Sequence, residues 1–447
     1  MNAEKQYTDV FTQYRDIVWQ NSSDCMNELR QGAFDDFVRL GFPSSKHEDF
    51  RYTDTAQAFA PDYGLNLRRF KTAINPADVF RCDVPNMSTQ IFFVVNDSFY
   101  EDSLPRTSLP EGVYAGGLKA FSERFPDVAS RYYGKAARTP DDSVAALNTM
   151  LAQDGFVLYV QSDVKLKRPI QLVNIFHSAV DIMANRRILI IMEPRSEARL
   201  LVCDHTMDDV RCLATQVVEI FAGEGVFFDY YDLEESTVST TRFSSLYAEQ
   251  SSRSNVLVNG ITLTNGLSRN NYHIALNGED AEATLCGMAI LDGNQQLDTY
   301  THITHRAPRC KSSELFKNVL DDKSTGVFSG RILVSPGADK TEAFQTNRNM
   351  CLTREARMFS KPQLEIYADD VKCSHGMSTG QLDEQALFYM QSRGLSRDEA
   401  RTILSVAFTS DVVENVRMEA LKERLRFLVE KRFRGELAQC AGCFCKQ

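Results

Sequence analysis

From residue 156 to residue 335, short β-rich runs follow one another with almost no helical periodicity between them. They are FVLYV (156–160), IQLVNIF (170–176), RILIIM (187–192), ARLLVC (198–203), TQVVEIF (215–221), GVFFDYY (225–231), NVLVNGITL (255–263), YHIALNG (272–278), ATLCGMAIL (283–291) and GRILVS (330–335). Asn-Gly and Asp-Gly pairs at 259–260, 265–266, 277–278 and 292–293 punctuate them. Without helices between the strands, an alternating βα architecture is excluded. A sandwich, a barrel and a stacked solenoid remain. Several runs are apolar over four or five residues, as in strands covered on both faces. The strand number is high for one sandwich, and a solenoid fits it better. No strict repeat period is visible, so two packed sheets stay open as the alternative.

The flanks read as helix. Phe11, Tyr14 and Val18 recur at helical spacing, as do Phe34, Phe37 and Val38, with Gly41 and Pro43 as stops. A short helix is predicted at Asp142–Ala152, capped by Asp141 or Asp142. Beyond residue 380, Asp383 caps a helix through Arg393 that Gly394 ends. Ser396 and Glu399 form a capping box for a helix through about Phe408, and Asp411 with Glu414 resembles another start. Leu421, Leu425 and Leu428 mark a last apolar face. These helices read as a docking module, as an end cap over the last open sheet edge, or as both.

At 447 residues, 43% hydrophobic and 25% charged, the chain is long enough for a large core and globular in composition. A formal charge of −10 argues against nucleic acid as partner. No segment reaches the ~20 apolar residues that span a bilayer. The polar start MNAEKQYTDVFTQYRD lacks a signal-peptide apolar region, so a cytoplasmic chain with free thiols among its eleven cysteines is expected. No G-x-x-x-x-G-K-[ST] loop and no G-x-S-x-G elbow occurs, and GVYAGGLKAF (112–121) is too weak a nucleotide signal.

Chemistry-bearing side chains concentrate in KPQLEIYADDVKCSHG (361–376). Cys373 and His375 are i, i+2, so on a strand they share one face, roughly 6–7 Å apart. Thiolate and imidazole suit iron or zinc, but two ligands are half a site. The competing reading is a buried thiol and a turn histidine. Asp369 and Asp370 read as turn-forming carboxylates. His302 and His305, near Cys310, do not fall on one face of a strand and read as surface or interface histidines. In the tail, Cys440, Cys443 and Cys445 place three thiols in six residues, close enough for one soft metal but without a fourth ligand.

LGFPSSKHEDFRYTD (40–54) resembles the G-x-P-x-x-K-x-E-x-W-x-Y-T motif of the SufB/SufD family, with Phe50 where the family has Trp. AALNTMLAQDGFVLYV (145–160) resembles a second block of that family. From Gly266 the likeness is nearly continuous, through DTYTHITHRAPRCKSSELFKNVLDDKSTGVFSGRILV and KTEAFQTNRNMCL to KPQLEIYADDVKCSHGMSTGQLDEQALFYMQSRGL. ADDVKCSHG and HRAPRCKSSELFKNVL are similar to the SufD branch.

The resemblance implies a mainly β fold: a right-handed parallel β-helix core between N-terminal and C-terminal helical regions. The expected organisation is 1–137 helical and mixed, 138–376 β-helix, 377–434 helical docking domain and 435–447 cysteine-containing tail. It implies a non-catalytic scaffold subunit for iron–sulfur cluster assembly. Its partners would be a SufB-like paralogue across the β-helix and a SufC-type ABC ATPase on the C-terminal helices. Phe388, Tyr389, Arg393 and Phe408 are the docking candidates, with internal packing of the aromatics as the alternative. His375 becomes the candidate ligand for iron or a transient iron–sulfur cluster shared with the paralogue, and Cys373 the second. Two other readings remain: a β-helix lyase or hydrolase acting on carbohydrate, and a structural homodimer.

Overall fold

The computed structural model describes residues 3–72, 90–101, 109–137 and 139–436. Cys440, Cys443 and Cys445 lie outside the described residues. The helices are α1 (Ala3–Gln20), α2 (Asp24–Leu40), α3 (Thr55–Phe59), α4 (Leu118–Arg124), α5 (Pro126–Tyr132), α6 (Ser143–Leu151), α7 (Glu384–Ser392), α8 (Arg397–Glu414) and α9 (Glu419–Phe433). The strands are β1 (Gly64–Leu65), β2 (Gln90–Val95), β3 (Ser98–Phe99), β4 (Val113–Gly117), β5 (Phe156–Val160), β6 (Ile170–Phe176), β7 (Ile182–Met192), β8 (Glu197–Thr206), β9 (Cys212–Ala222) and β10 (Phe227–Glu235). They continue as β11 (Thr240–Gln250), β12 (Asn255–Thr264), β13 (Leu267–Leu276), β14 (Glu282–Leu291), β15 (Gln296–His305), β16 (Lys311–Leu320), β17 (Thr325–Val334), β18 (Glu342–Cys351), β19 (Arg357–Ile366) and β20 (Lys372–Gly380). Among the described residues no helix is long and apolar enough to cross a membrane.

From β5 to β20 each strand pairs in parallel with strands two places away, odd-numbered strands in one ten-stranded sheet and even-numbered in the other. That connectivity is a parallel β-helix. β2 and β4 join the first coil, and β20 runs past residue 376 to Gly380. Ile170, Leu200, Tyr230, Val258, Leu285, Glu314, Gln345 and His375 are successive register partners. The step between them drifts from 27 to 31 residues, which hides the repeat from a search for a fixed period.

One corner of every coil is built alike. Asp163, Arg195, Gly225, Arg253, Asp280, Arg309 and Lys340 all adopt positive φ. Each donates its backbone N–H to a carbonyl of the next coil, ending with Lys340 on Asp370. Only one of the seven is glycine, although this region strains other L residues. The stacked hydrogen bonds, and ion pairs such as Arg195–Asp163 and Arg309–Asp280, offset that strain.

Helices α1, α2, α3 and α6 cover the outer face of the odd-numbered sheet, with Tyr7, Phe37, Phe59 and Met150 against Met183, Leu213 and Phe243. Asp142 caps α6 through the N–H groups of Val144 and Ala145. Phe92 and Phe99 close the first end against Phe156. On the even-numbered sheet, Val412, Val413, Leu421, Leu425 and Leu428 of α8 and α9 pack on Leu201, Tyr231, Leu257 and Ile261. These helices cover a face of the solenoid and do not cap its last edge.

Two further sequence readings change. Asp411 does not start a helix: it lies inside α8, and its carboxylate pairs with Lys317 at 2.5 Å. Asn259-Gly260 is no turn: it lies within β12, where a Cβ on Gly260 would fall 2.3 Å from the Tyr272 hydroxyl.

Candidate functional site at the open end of the solenoid

β19 and β20 stack on the preceding coil and, among the described residues, carry no strand on their far side. Their outer backbone groups therefore form a bare edge. Ile366, Tyr367 and Met377 are exposed around it, as is Phe344 on β18, each by 40–62%.

Side-chain direction follows from alternation along β18. Ala343, Gln345, Asn347 and Asn349 are buried in the lumen, whereas Phe344 and Arg348 are exposed outside. Register sets Cys373, His375, Met377 and Thr379 directly above the four lumenal residues. In parallel pairing, register partners point the same way, so His375 and Cys373 face the mouth of the lumen. From β19, Ser360 donates to Asn347 Oδ1 at 2.7 Å, which makes the even positions, Pro362 and Leu364 included, the opposite wall.

Cys373 is half-buried against Ile332, Val334 and Ala343. Burial pushes its thiol pKa up. His375 is exposed. Among the described residues no three His, Cys, Asp or Glu side chains converge as a metal site. Asp369 and Asp370 are exposed in the last corner of the ladder, and the Asp370 carbonyl accepts the Lys340 N–H.

His302 and His305 fall on opposite faces of β15. His305 is not a surface group: it is fully buried, with Nε2 2.8 Å from Ser312 Oγ, and desolvation lowers its pKa to about 4. Cys310 is also buried and donates to the Gly278 carbonyl at 3.2 Å. On the helices, Phe388 and Tyr389 are 74% and 58% exposed, and the Arg393 guanidinium lies 5.3 Å from the Tyr389 ring. Phe408 is half-buried, with the Lys317 ammonium 5.1 Å from its ring.

The 40–54 segment latches onto the odd-numbered sheet next to this end. Tyr52 stacks on Phe359 with centroids 4.0 Å apart, and Glu48 pairs with Lys361. The Arg269 guanidinium sits 3.7 Å from the Phe50 ring, so this aromatic serves as a cation–π platform. Sequence reasoning missed the lumenal residues Glu314 and Gln345 below His375. Only the pairing register relates residues 30 positions apart.

Residues 175–408 match the family described as SUF system FeS cluster assembly, SufBD core domain, and residues 1–172 match the SufBD protein N-terminal region. A SufBD family protein of Synechocystis is 27% identical over 427 residues, covering 93% of this chain and 90% of that protein. The iron–sulfur cluster assembly protein SufD of Escherichia coli is 38% identical over 167 residues, covering 37% and 40%. The chloroplastic protein ABCI7 of Arabidopsis thaliana is 26% identical, covering 91% and 86%. A matched core spanning more than half of the sequence, on a parallel β-helix with helical flanks, places the chain in the SufBD family of iron–sulfur cluster assembly proteins.

Proposed function

We propose that the chain is a SufD-type, non-catalytic scaffold subunit that pairs through its open solenoid end with a SufB-like paralogue. The observation that carries this reading is the bare β19–β20 edge with His375 facing the lumen mouth. An edge strand with exposed apolar neighbours is a template for a further strand from another chain. Pairing there buries His375 and Cys373 beside the partner's side chains, completing a site for iron or a nascent cluster that this chain only half supplies. A SufC-type ATPase docks on α7 and its C-terminal cap through Phe388, Tyr389 and Arg393. Phe408 holds the docking helix to β16 through Lys317. Asp369 and Asp370 are exposed at a stacked corner, which supports the turn-forming reading of this pair over a carbohydrate-cleaving one.

Co-expression with the paralogue and the ATPase, pull-down and anaerobic cluster reconstitution test this. The parent complex assembles and loads iron. His375→Ala assembles but loads poorly, and Cys373→Ala loads less than the parent. Normal loading by both variants removes the ligand role. A homodimer that excludes the paralogue removes the pairing.

A further inference from the structure

The row that ends in His375 changes character along the solenoid. Leu200, Tyr230, Val258 and Leu285 are buried in the apolar core, and the next three positions are Glu314, Gln345 and His375. Glu314 is 1% exposed. Its Oε2 accepts hydrogen bonds from Thr301 Oγ1 at 2.9 Å and Gln345 Nε2 at 3.0 Å. Its Oε1 is buried without a partner, and so is Oε1 of Gln345.

Every other buried carboxylate of the described chain sits against an arginine. Asp204 lies by Arg186, Glu219 by Arg187, Glu234 by Arg242 and Asp298 by Arg269, and Asp97, Asp229 and Asp232 are paired likewise. Glu314 alone has no cation, and burial pushes its pKa up to about 7. Burying an unpaired charge is costly, so the ionised form needs a positive partner. Gly330 on the facing wall leaves room for the Gln345 amide: a Cβ there would lie 2.3 Å from Gln345 Nε2. Strand spacing sets Glu314 and His375 about 10 Å apart at the backbone. Side chains that lean one spacing each meet at the level of Gln345.

We propose that the lumen beneath His375 binds a divalent cation of ferrous or manganous type, with the Glu314 carboxylate, Gln345 Oε1 and the His375 imidazole as its protein ligands. A carboxylate, an amide oxygen and an imidazole suit that class better than a thiophilic ion. The cation supplies the counter-charge that arginine supplies to the other buried carboxylates. This inference rests on the reading that His375 serves metal, and it adds an inner position that the chain holds without a partner.

The test is Mn2+ titration of the full chain, followed by electron paramagnetic resonance, with anaerobic Fe2+ dialysis as the second probe. The parent binds one ion. Glu314→Gln, which preserves shape, weakens binding at least tenfold, and His375→Ala weakens it severalfold. Should Glu314→Gln not fold, Gln345→Met carries the same test, with a severalfold loss expected. A parent without stoichiometric binding overturns the proposal, as does a Glu314→Gln or Gln345→Met variant that binds like the parent. Pull-down of the paralogue by the same variants separates the two readings. Normal pairing with unchanged Mn2+ binding rejects the lumenal site alone, whereas lost pairing by the parent rejects the scaffold reading.

Discussion

The first coils and the last coils of this solenoid share one backbone plan and differ in almost everything else. Every residue of β7 is buried, whereas every residue of β20 except Cys373 is exposed. Both strands sit in the same kind of parallel ladder. β7 is sandwiched between the lumenal core and the N-terminal helices. β20 has a half-polar lumen on one side and, among the described residues, no covering helix on the other. The ladder thus sets the shape of the coil, and side chains decide whether that coil is structure or contact surface. Phe92 and Phe99 close the first end and the N-terminal helices cover its flank, whereas among the described residues the last strands stay uncovered, so the first end is expected to hold most of the stability.

The contrast is sharpest when a buried charge is broken in the closed half. Arg187 and Glu219, both fully buried, are 2.6 Å apart. Glu219 also accepts the N–H groups of Gly134, Ala136 and Ala137. Arg187→Ala leaves that carboxylate unpaired and is expected to cost about 3–5 kcal/mol. Urea unfolding followed by circular dichroism measures it. A loss below about 1 kcal/mol would remove the idea that the closed half holds the stability.

A smaller effect comes from acid. The pKa of His305 is about 4 in the folded chain, below its usual 6.5, because burial penalises the imidazolium. Its contribution to stability is therefore complete above pH 6.5 and declines as pH falls toward 4. The unfolded chain takes up the proton across that window and the folded chain does not. The decline amounts to about 3 kcal/mol. Urea midpoints of the parent and of His305→Gln, compared from pH 7.5 to 4.5, isolate it. Parallel curves would show that the lumen near β15 is wet enough to hold a charged imidazole.

The same contrast explains what could be read from the sequence. Strands β5 to β10 were legible because both faces are apolar, and VLYV or ILII stands out against any background. β15, β16 and β18 form no such run. Their lumenal positions carry Thr299, Thr301, Glu314, Asn347 and Asn349, so no apolar run or clean alternation forms. Asn318, whose amide donates to Asn349 Oδ1 at 2.9 Å, belongs to a polar ladder that periodicity in a single strand does not reveal. Of the site, Cys373 and His375 were visible because they are neighbours in sequence. Glu314 and Gln345 were hidden because a drifting coil length conceals which residues stack.

Within the open half, Gly330→Ala probes how tightly the polar lumen is packed. The added methyl meets Gln345 Nε2 and the Phe328 ring, at 2.3 and 2.8 Å before relaxation. Gln345 can swing toward the open mouth, so the expected cost is about 1–3 kcal/mol, at the low end if the lumen yields. Thermal unfolding of the variant gives the number. A value near that of Arg187→Ala would mean that the two halves are equally rigid.

The smallest effect on stability should accompany the largest effect on assembly. Met377 is 48% exposed on β20, at the edge that has no neighbour. Met377→Lys places a charge on that edge, the device by which soluble proteins prevent strand-to-strand association. Because the side chain already meets water, the change in unfolding free energy is expected to stay within about 0.5 kcal/mol. Pairing with a second chain through the edge must desolvate the ammonium and should fall at least tenfold, as measured by co-purification or sedimentation. A variant that keeps its partner would move the contact from the bare edge to the helix-covered faces. The difference between the two ends would then belong to folding rather than to assembly.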